Sequence, residues 1–83
     1  MTEILVFKMP NCSPCNMLES VILEFENVTL LDTMKEMEKS MQYGVRKAPT
    51  VIHLEDGKEV GRFTGFKTKE EIKEFLTPKV NYE

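Results

Sequence analysis

An α/β fold with the element order βαβαββα and a four-stranded mixed sheet, helices on both faces, is predicted by three observations. The apolar period switches repeatedly between strand-like and helical spacing, the first two strand candidates are joined through a helix, and the last two flank an Asp-Gly dipeptide. With 83 residues there is room for one small core and no second one, so residues 1–83 are expected to form a single domain.

Thr2 to Lys8 is a short, mostly apolar run ending at Pro10, which suits a strand buried on both faces. Met17, Leu18, Val21, Ile22 and Phe25 then fall on one face of a helix running from about Ser13 to Glu26. Val28 to Leu31 is the next strand, and a helical crossover makes it parallel to the first. Thr33 with Glu36 forms a capping-box pattern, and Met34, Met37 and Met41 follow at helical spacing before Gly44. That methionine stripe reads as core. Thr50 to Leu54 and about Glu59 to Thr64 flank Asp56-Gly57, which favours a tight antiparallel hairpin. Thr68 with Glu71 repeats the capping box, and Ile72, Phe75 and Leu76 mark the buried side of a last helix. Pro78 closes that helix, and a polar tail covers about residues 77–83. Lys35 with Glu38 and Glu70 with Lys73 read as solvated helix faces.

A formal charge of -3 gives no footprint for nucleic acid or an anionic membrane, and the composition, 41% hydrophobic and 30% charged, is that of an ordinary globular chain. The longest apolar run, Ile4-Leu5-Val6-Phe7, is far short of a membrane span, and no basic, signal-like region precedes it. Cytoplasmic residence and a monomer are the expectation. A lasting structural disulfide is unusual there, so two close cysteines lean towards catalysis or metal.

Both cysteines, Cys12 and Cys15, lie in the stretch MPNCSPCNML, where the first strand gives way to the first helix. A sulfur just before a helix faces unpaired backbone N–H groups and the positive end of the helix dipole, which favours thiolate over thiol. Cys12 is therefore the expected nucleophile, and Cys15, within one turn, is placed to attack a mixed disulfide formed at Cys12. Pro14 suits the first helical turn, where its missing N–H goes unused. Lys8 at the strand end reads either as a source of positive potential or as plain surface. A structural zinc site needs four ligands, and outside the pair the chain offers only His53, so no metal or organic cofactor is expected within one chain. His53, Tyr43 and Phe66 read as packed or core-edge side chains. The alternative function is a binding module whose cysteine pair is redox-idle or holds a metal between chains.

Cys-x-x-Cys at the head of the helix of a leading βαβ unit, with Lys47-Ala48-Pro49-Thr50 entering a hairpin, resembles the thioredoxin and glutaredoxin superfamily. Tyr43 to Leu76 is similar to the C-terminal half of thioredoxins, whereas the length and the start at the strand before the cysteines resemble glutaredoxins; VFKMPNCSPC sets glutaredoxin-like Lys8 and Pro10 around a thioredoxin-like Ser-Pro centre, so the chain resembles a glutaredoxin-sized mini-thioredoxin. The resemblance implies the thioredoxin fold and a dithiol-disulfide oxidoreductase that reduces protein disulfides. It makes Cys12 the nucleophile, Cys15 the resolving thiol, Pro49 a cis-proline beside them and Asn11, Ser13 and Pro14 the active-site loop. Ala48 becomes the residue whose backbone pairs with an extended substrate segment. Asn11 stands where thioredoxins carry Trp, and the buried Asp of their first active-site strand has no counterpart between Glu3 and Met9. Ser13-Pro14 and Gly65-Phe66-Lys67-Thr68 lack the residues with which glutaredoxins hold glutathione. The implied partners are disulfide-bearing proteins, ribonucleotide reductase among them, and a thioredoxin-type reductase rather than glutathione.

Overall fold

The computed structural model describes residues 1–77. Its elements are β1 (Thr2–Lys8), α1 (Ser13–Ile22), β2 (Val28–Asp32), α2 (Met37–Gln42), β3 (Thr50–Glu55), β4 (Lys58–Thr64) and α3 (Lys69–Leu76). The sheet order is β2-β1-β3-β4, with β1 parallel to β2, antiparallel to β3, and β3 antiparallel to β4. The βαβαββα order is as the periodicity predicts. Pro78 and the rest of the expected polar tail lie outside the described residues.

β1 is apolar on both sides because it is a central strand covered on both faces. Ile4 and Val6 enter a cluster with Leu18 and Ile22 of α1, Val51 of β3 and Ile72 of α3. Leu5 and Phe7, pointing the other way, pack with Leu31, Ile52 and Leu54, and Tyr43 and Val45 beyond α2 cover them. At the β3–β4 turn Asp56 and Gly57 have φ of 52° and 82°, the positive pair a tight hairpin requires. The capping box at α3 forms: the Thr68 side chain accepts from the Glu71 backbone, and the Glu71 carboxylate accepts from the Thr68 N–H.

Three expectations need correction. The first helix stops at Ile22 rather than Glu26, because Glu24 and Phe25 turn their N–H groups to the carbonyls of Val21 and Ile22, three residues back, and tighten the chain. Asn27, at φ 60°, then turns into β2, and Met17 of the supposed apolar face is exposed. The second helix does not start at a Thr33 capping box. Thr33 donates its N–H to the Lys8 carbonyl, the Asp32 carboxylate accepts from the Met34 N–H, and α2 begins at Met37 with no side-chain cap. The methionine stripe is not core: Met34, Met37 and Met41 are 62%, 61% and 76% exposed. The six-residue α2 buries only Ser40, and Tyr43 and Val45 fill the space below, so the stripe faces away.

The parallel pair β1 and β2 ends, β3 begins and β4 ends at one edge of the sheet. Four connections therefore meet there: Met9 to Cys12, Thr33 to Glu36, Lys47 to Pro49, and Gly65 with Phe66.

Candidate active site

Beyond β1 the chain reverses through Asn11, whose φ of 57° is a left-handed conformation that Asn tolerates. Cys12 follows in extended conformation as the N-cap of α1, with Ser13 and Pro14 in the first turn. Its Sγ accepts a hydrogen bond from the Cys15 N–H at 3.2 Å, and its carbonyl accepts from Asn16 at 3.1 Å. A backbone donor aimed at that sulfur stabilises negative charge on it, as an N-cap carboxylate or hydroxyl is stabilised. The two cysteines form a disulfide, with Cα atoms 5.2 Å apart. Cys12 is half-buried and Cys15 is 1% exposed, so only the first sulfur of the pair is presented to solvent.

Across the groove the Ala48–Pro49 peptide is cis, as the resemblance implies, and the Cys12 Sγ lies 4.0 Å from the Ala48 carbonyl oxygen. Two bonds hold this turn. The Thr50 hydroxyl donates to the Lys47 carbonyl at 2.6 Å, and the Gly65 N–H donates to the Pro49 carbonyl at 2.9 Å. Gly65 sits at φ 84°, a conformation that an L side chain would strain. Pro49 is buried and Ala48 half-buried, and among the described residues the Ala48 backbone groups make no backbone hydrogen bond. Ala48 thus has free donors and acceptors beside the sulfurs, as an edge strand does.

All seven residues singled out by sequence meet at this edge: Cys12 and Cys15, flanked by Asn11, Ser13 and Pro14 on one side and by Ala48 and Pro49 on the other. Lys8, left open between two readings, forms a half-buried ion pair with Glu19, on the α1 side of the sheet. Glu19 was missed. The signal was present, since Lys8 follows Ile4 and Val6 on the α1-facing side of β1 and Glu19 stands one turn beyond Cys15. His53 is buried at the opposite end of β3, paired with Glu55 and edge-on to Phe75, and Tyr43 packs against Phe7. Phe66 is exposed at the site edge. Among the described residues no three His, Cys, Asp or Glu gather in a way that would hold a metal ion, and no helix is long and apolar enough to cross a membrane.

Residues 3–78 match the family described as a thioredoxin-like domain. The SPbeta prophage-derived thioredoxin-like protein YosR of Bacillus subtilis (strain 168) is 40% identical over 73 residues, covering 82% of this chain and 88% of its own. Thioredoxin of the same organism is 32% identical over 77 residues, covering 84% and 74%. Among solved structures, Malassezia sympodialis thioredoxin superposes with a TM-score of 0.78 at 17% identity, over 90% of this chain and 71% of that one. The germline-specific thioredoxin Deadhead of Drosophila melanogaster gives 0.77 at 23%, over 90% and 77%. At such identities these two likenesses establish the fold alone.

Proposed function

The chain belongs to the thioredoxin-like family, and its cysteine pair serves a thioredoxin-type redox function; from that premise we propose that it is a protein-disulfide reductase working through Cys12 and Cys15 and recycled by a thioredoxin-type reductase. The observation that carries this reading is the pairing of a half-buried N-cap sulfur, Cys12, with a buried one, Cys15, opposite the unpaired backbone of Ala48.

An extended segment of the target pairs with Ala48 and brings its disulfide over Cys12. The Cys12 thiolate attacks one target sulfur, forming a mixed disulfide, and the departing target thiolate takes up a proton. Cys15 gives up its proton and attacks the Cys12 sulfur, releasing the second target thiolate. Two electrons pass to the target, leaving two target thiols and the Cys12–Cys15 disulfide, the state this structure holds. Pro14 and the Cys12 cap fix the loop, so the exchange needs little rearrangement of α1. Ribonucleotide reductase enters as a candidate target through the family resemblance alone. Ser13-Pro14 and the Gly65-Phe66-Lys67-Thr68 turn support a reductase over glutathione as electron source.

Insulin reduction driven by dithiothreitol tests the proposal. The parent protein should accelerate insulin precipitation, and Cys12→Ser should abolish the acceleration. A parent rate equal to that of dithiothreitol alone would leave the rival reading, a redox-idle binding module. NADPH oxidation through thioredoxin reductase should exceed that through glutathione and glutathione reductase; the reverse order would assign glutathione as donor.

A further inference from the structure

Charge is distributed unevenly over the molecule. With 11 Lys and Arg against 14 Asp and Glu the chain is acidic, yet the connections at the cysteine edge and the residues next to them carry Lys35, Arg46, Lys47 and Lys67 against a single carboxylate, Glu36. The charged strand ends there are engaged, Lys8 with Glu19 and Asp32 with the Met34 N–H. Lys67 is engaged too: its ammonium lies 5.2 Å from the centre of the Phe63 ring and acts on the Glu71 carboxylate. Lys35 is offset by Glu36 beside it in the chain. Arg46 and Lys47 differ from these, since both are exposed and, among the described residues, neither enters an ion pair. Their place is fixed from both sides. Val45 packs in the second apolar cluster, Pro49 is buried, and the Lys47 carbonyl accepts from the Thr50 hydroxyl, so the stretch between is held with the Ala48 carbonyl oxygen 4.0 Å from the Cys12 sulfur.

We propose that Arg46 and Lys47 select targets by charge, favouring disulfides whose flanking polypeptide carries Asp or Glu. The inference rests on the reductase reading and adds the class of partner. A target segment that pairs with the Ala48 backbone runs past Lys47 and Arg46, the two residues that precede Ala48 in the chain. Side chains opposite or diagonal to one another in such a pairing stand about 5–8 Å apart, within reach of a Lys or Arg side chain. A carboxylate one or two positions from the target cysteine therefore meets one of these two cations. Charge at an exposed rim acts mainly on the rate of encounter, and that rate decides which of several competing disulfides is reduced first. The acidic remainder of the chain opposes this only weakly. Salt screens exposed charges beyond about 8 Å, so the pair beside Ala48 governs the approach in spite of the net charge of -3.

The test uses two disulfide-linked peptides that differ only in the residues beside the cysteine, Asp in one and Lys in the other, with hydroxyethyl disulfide as an uncharged reference. Second-order rates of the reduced protein are measured at low and high salt for the parent, Arg46→Gln/Lys47→Gln and Arg46→Glu/Lys47→Glu. Both positions are exposed, so both variants should fold, which far-ultraviolet circular dichroism checks. Rates are taken relative to hydroxyethyl disulfide, which removes any change in the reactivity of Cys12 itself. The parent should reduce the Asp peptide about tenfold faster than the Lys peptide at low salt, the Gln variant should bring the two within about twofold, the Glu variant should reverse the order, and high salt should compress every preference. Equal rates in the parent, a preference that survives in the Gln variant, or one that high salt leaves unchanged would each overturn the proposal and leave the reductase reading standing. Glutathione disulfide, a small anion, separates the source of the carboxylate: a loss in the Gln variant as large as for the Asp peptide would make the pair a site for any anionic disulfide and overturn the selection of flanking polypeptide. A parent that reduces none of the four disulfides would remove the reductase reading itself.

Discussion

Cys12 and Cys15 are separated by three positions and by their access to solvent. Cys12 caps α1 and accepts the Cys15 N–H, whereas Cys15 is 1% exposed beneath it. Limiting iodoacetamide added to the reduced protein at about pH 6 should therefore label Cys12 in large excess, as read by peptide mapping. Label found mainly on Cys15 would reverse the assignment. At this scale the sequence was most informative, because a sulfur ahead of Ser13-Pro14 at a strand-to-helix junction has few other places to sit. The Lys8 to Glu19 pair was harder to see: strand alternation puts Lys8 on the side of β1 that α1 covers, but no spacing rule like the i to i+4 rule of one helix picks out Glu19 as its partner.

Among the elements, α3 is the one whose start the sequence defines best, since Thr68 and Glu71 satisfy each other's backbone donors. Thr68→Ala should lower stability by about 1 kcal/mol. For a domain of this size that corresponds to a fall of roughly 4–8 °C in Tm, readable by thermal melting. An unchanged Tm would mean that the box contributes nothing. The same four-residue pattern at Thr33 and Glu36 failed. There the neighbouring β1 offers the Lys8 carbonyl to the Thr33 N–H, while Asp32 takes the Met34 N–H with its carboxylate and the Glu36 N–H with its carbonyl, so one tertiary partner and a local turn at Asp32 displace the cap. The methionine period likewise put Met34, Met37 and Met41 at helical spacing without showing whether the row is buried; in the structure Met34 lies in the turn ahead of α2 and all three side chains are exposed.

On the scale of the whole molecule, two apolar clusters on either side of β1 hold the sheet and helices together, and Leu18 links the α1 helix that carries the cysteines to the first of them. Leu18→Ala should lose about 2–5 kcal/mol in urea unfolding, a large part of the stability of any small domain. A loss below about 1 kcal/mol would show that α1 is not anchored there. The element order and two of the three strand pairings were legible, because a helical crossover makes β2 parallel to β1 and an Asp-Gly hairpin makes β4 antiparallel to β3; the pairing of β1 with β3 that sets the order β2-β1-β3-β4 comes from the structure. Acid should weaken the fold. The Thr2 hydroxyl and then His53 hold the Glu55 carboxyl below its ordinary value of 4.5, Arg62 does so for Glu59, and the Thr68 N–H does so for Glu71. Groups lowered in the folded state contribute fully above their unfolded pKa and lose that contribution as pH falls through the folded one. Tm should thus be steady from pH 7 to about 5 and decline below about 4.5, by a modest amount because these carboxylates are exposed and screened. A Tm that rises on acidification would contradict the pairing.

The central claim is that Cys12 exchanges with protein disulfides and Cys15 completes the exchange. Intact-mass analysis of reduced Cys15→Ser incubated with a disulfide-bearing protein measures this most directly, because the variant retains the attacking sulfur and lacks the one that releases the product. The expected result is a covalent one-to-one adduct through Cys12 that dithiothreitol dissolves and that Cys12→Ser does not form. No adduct with Cys15→Ser, or an equal yield with Cys12→Ser, would contradict it.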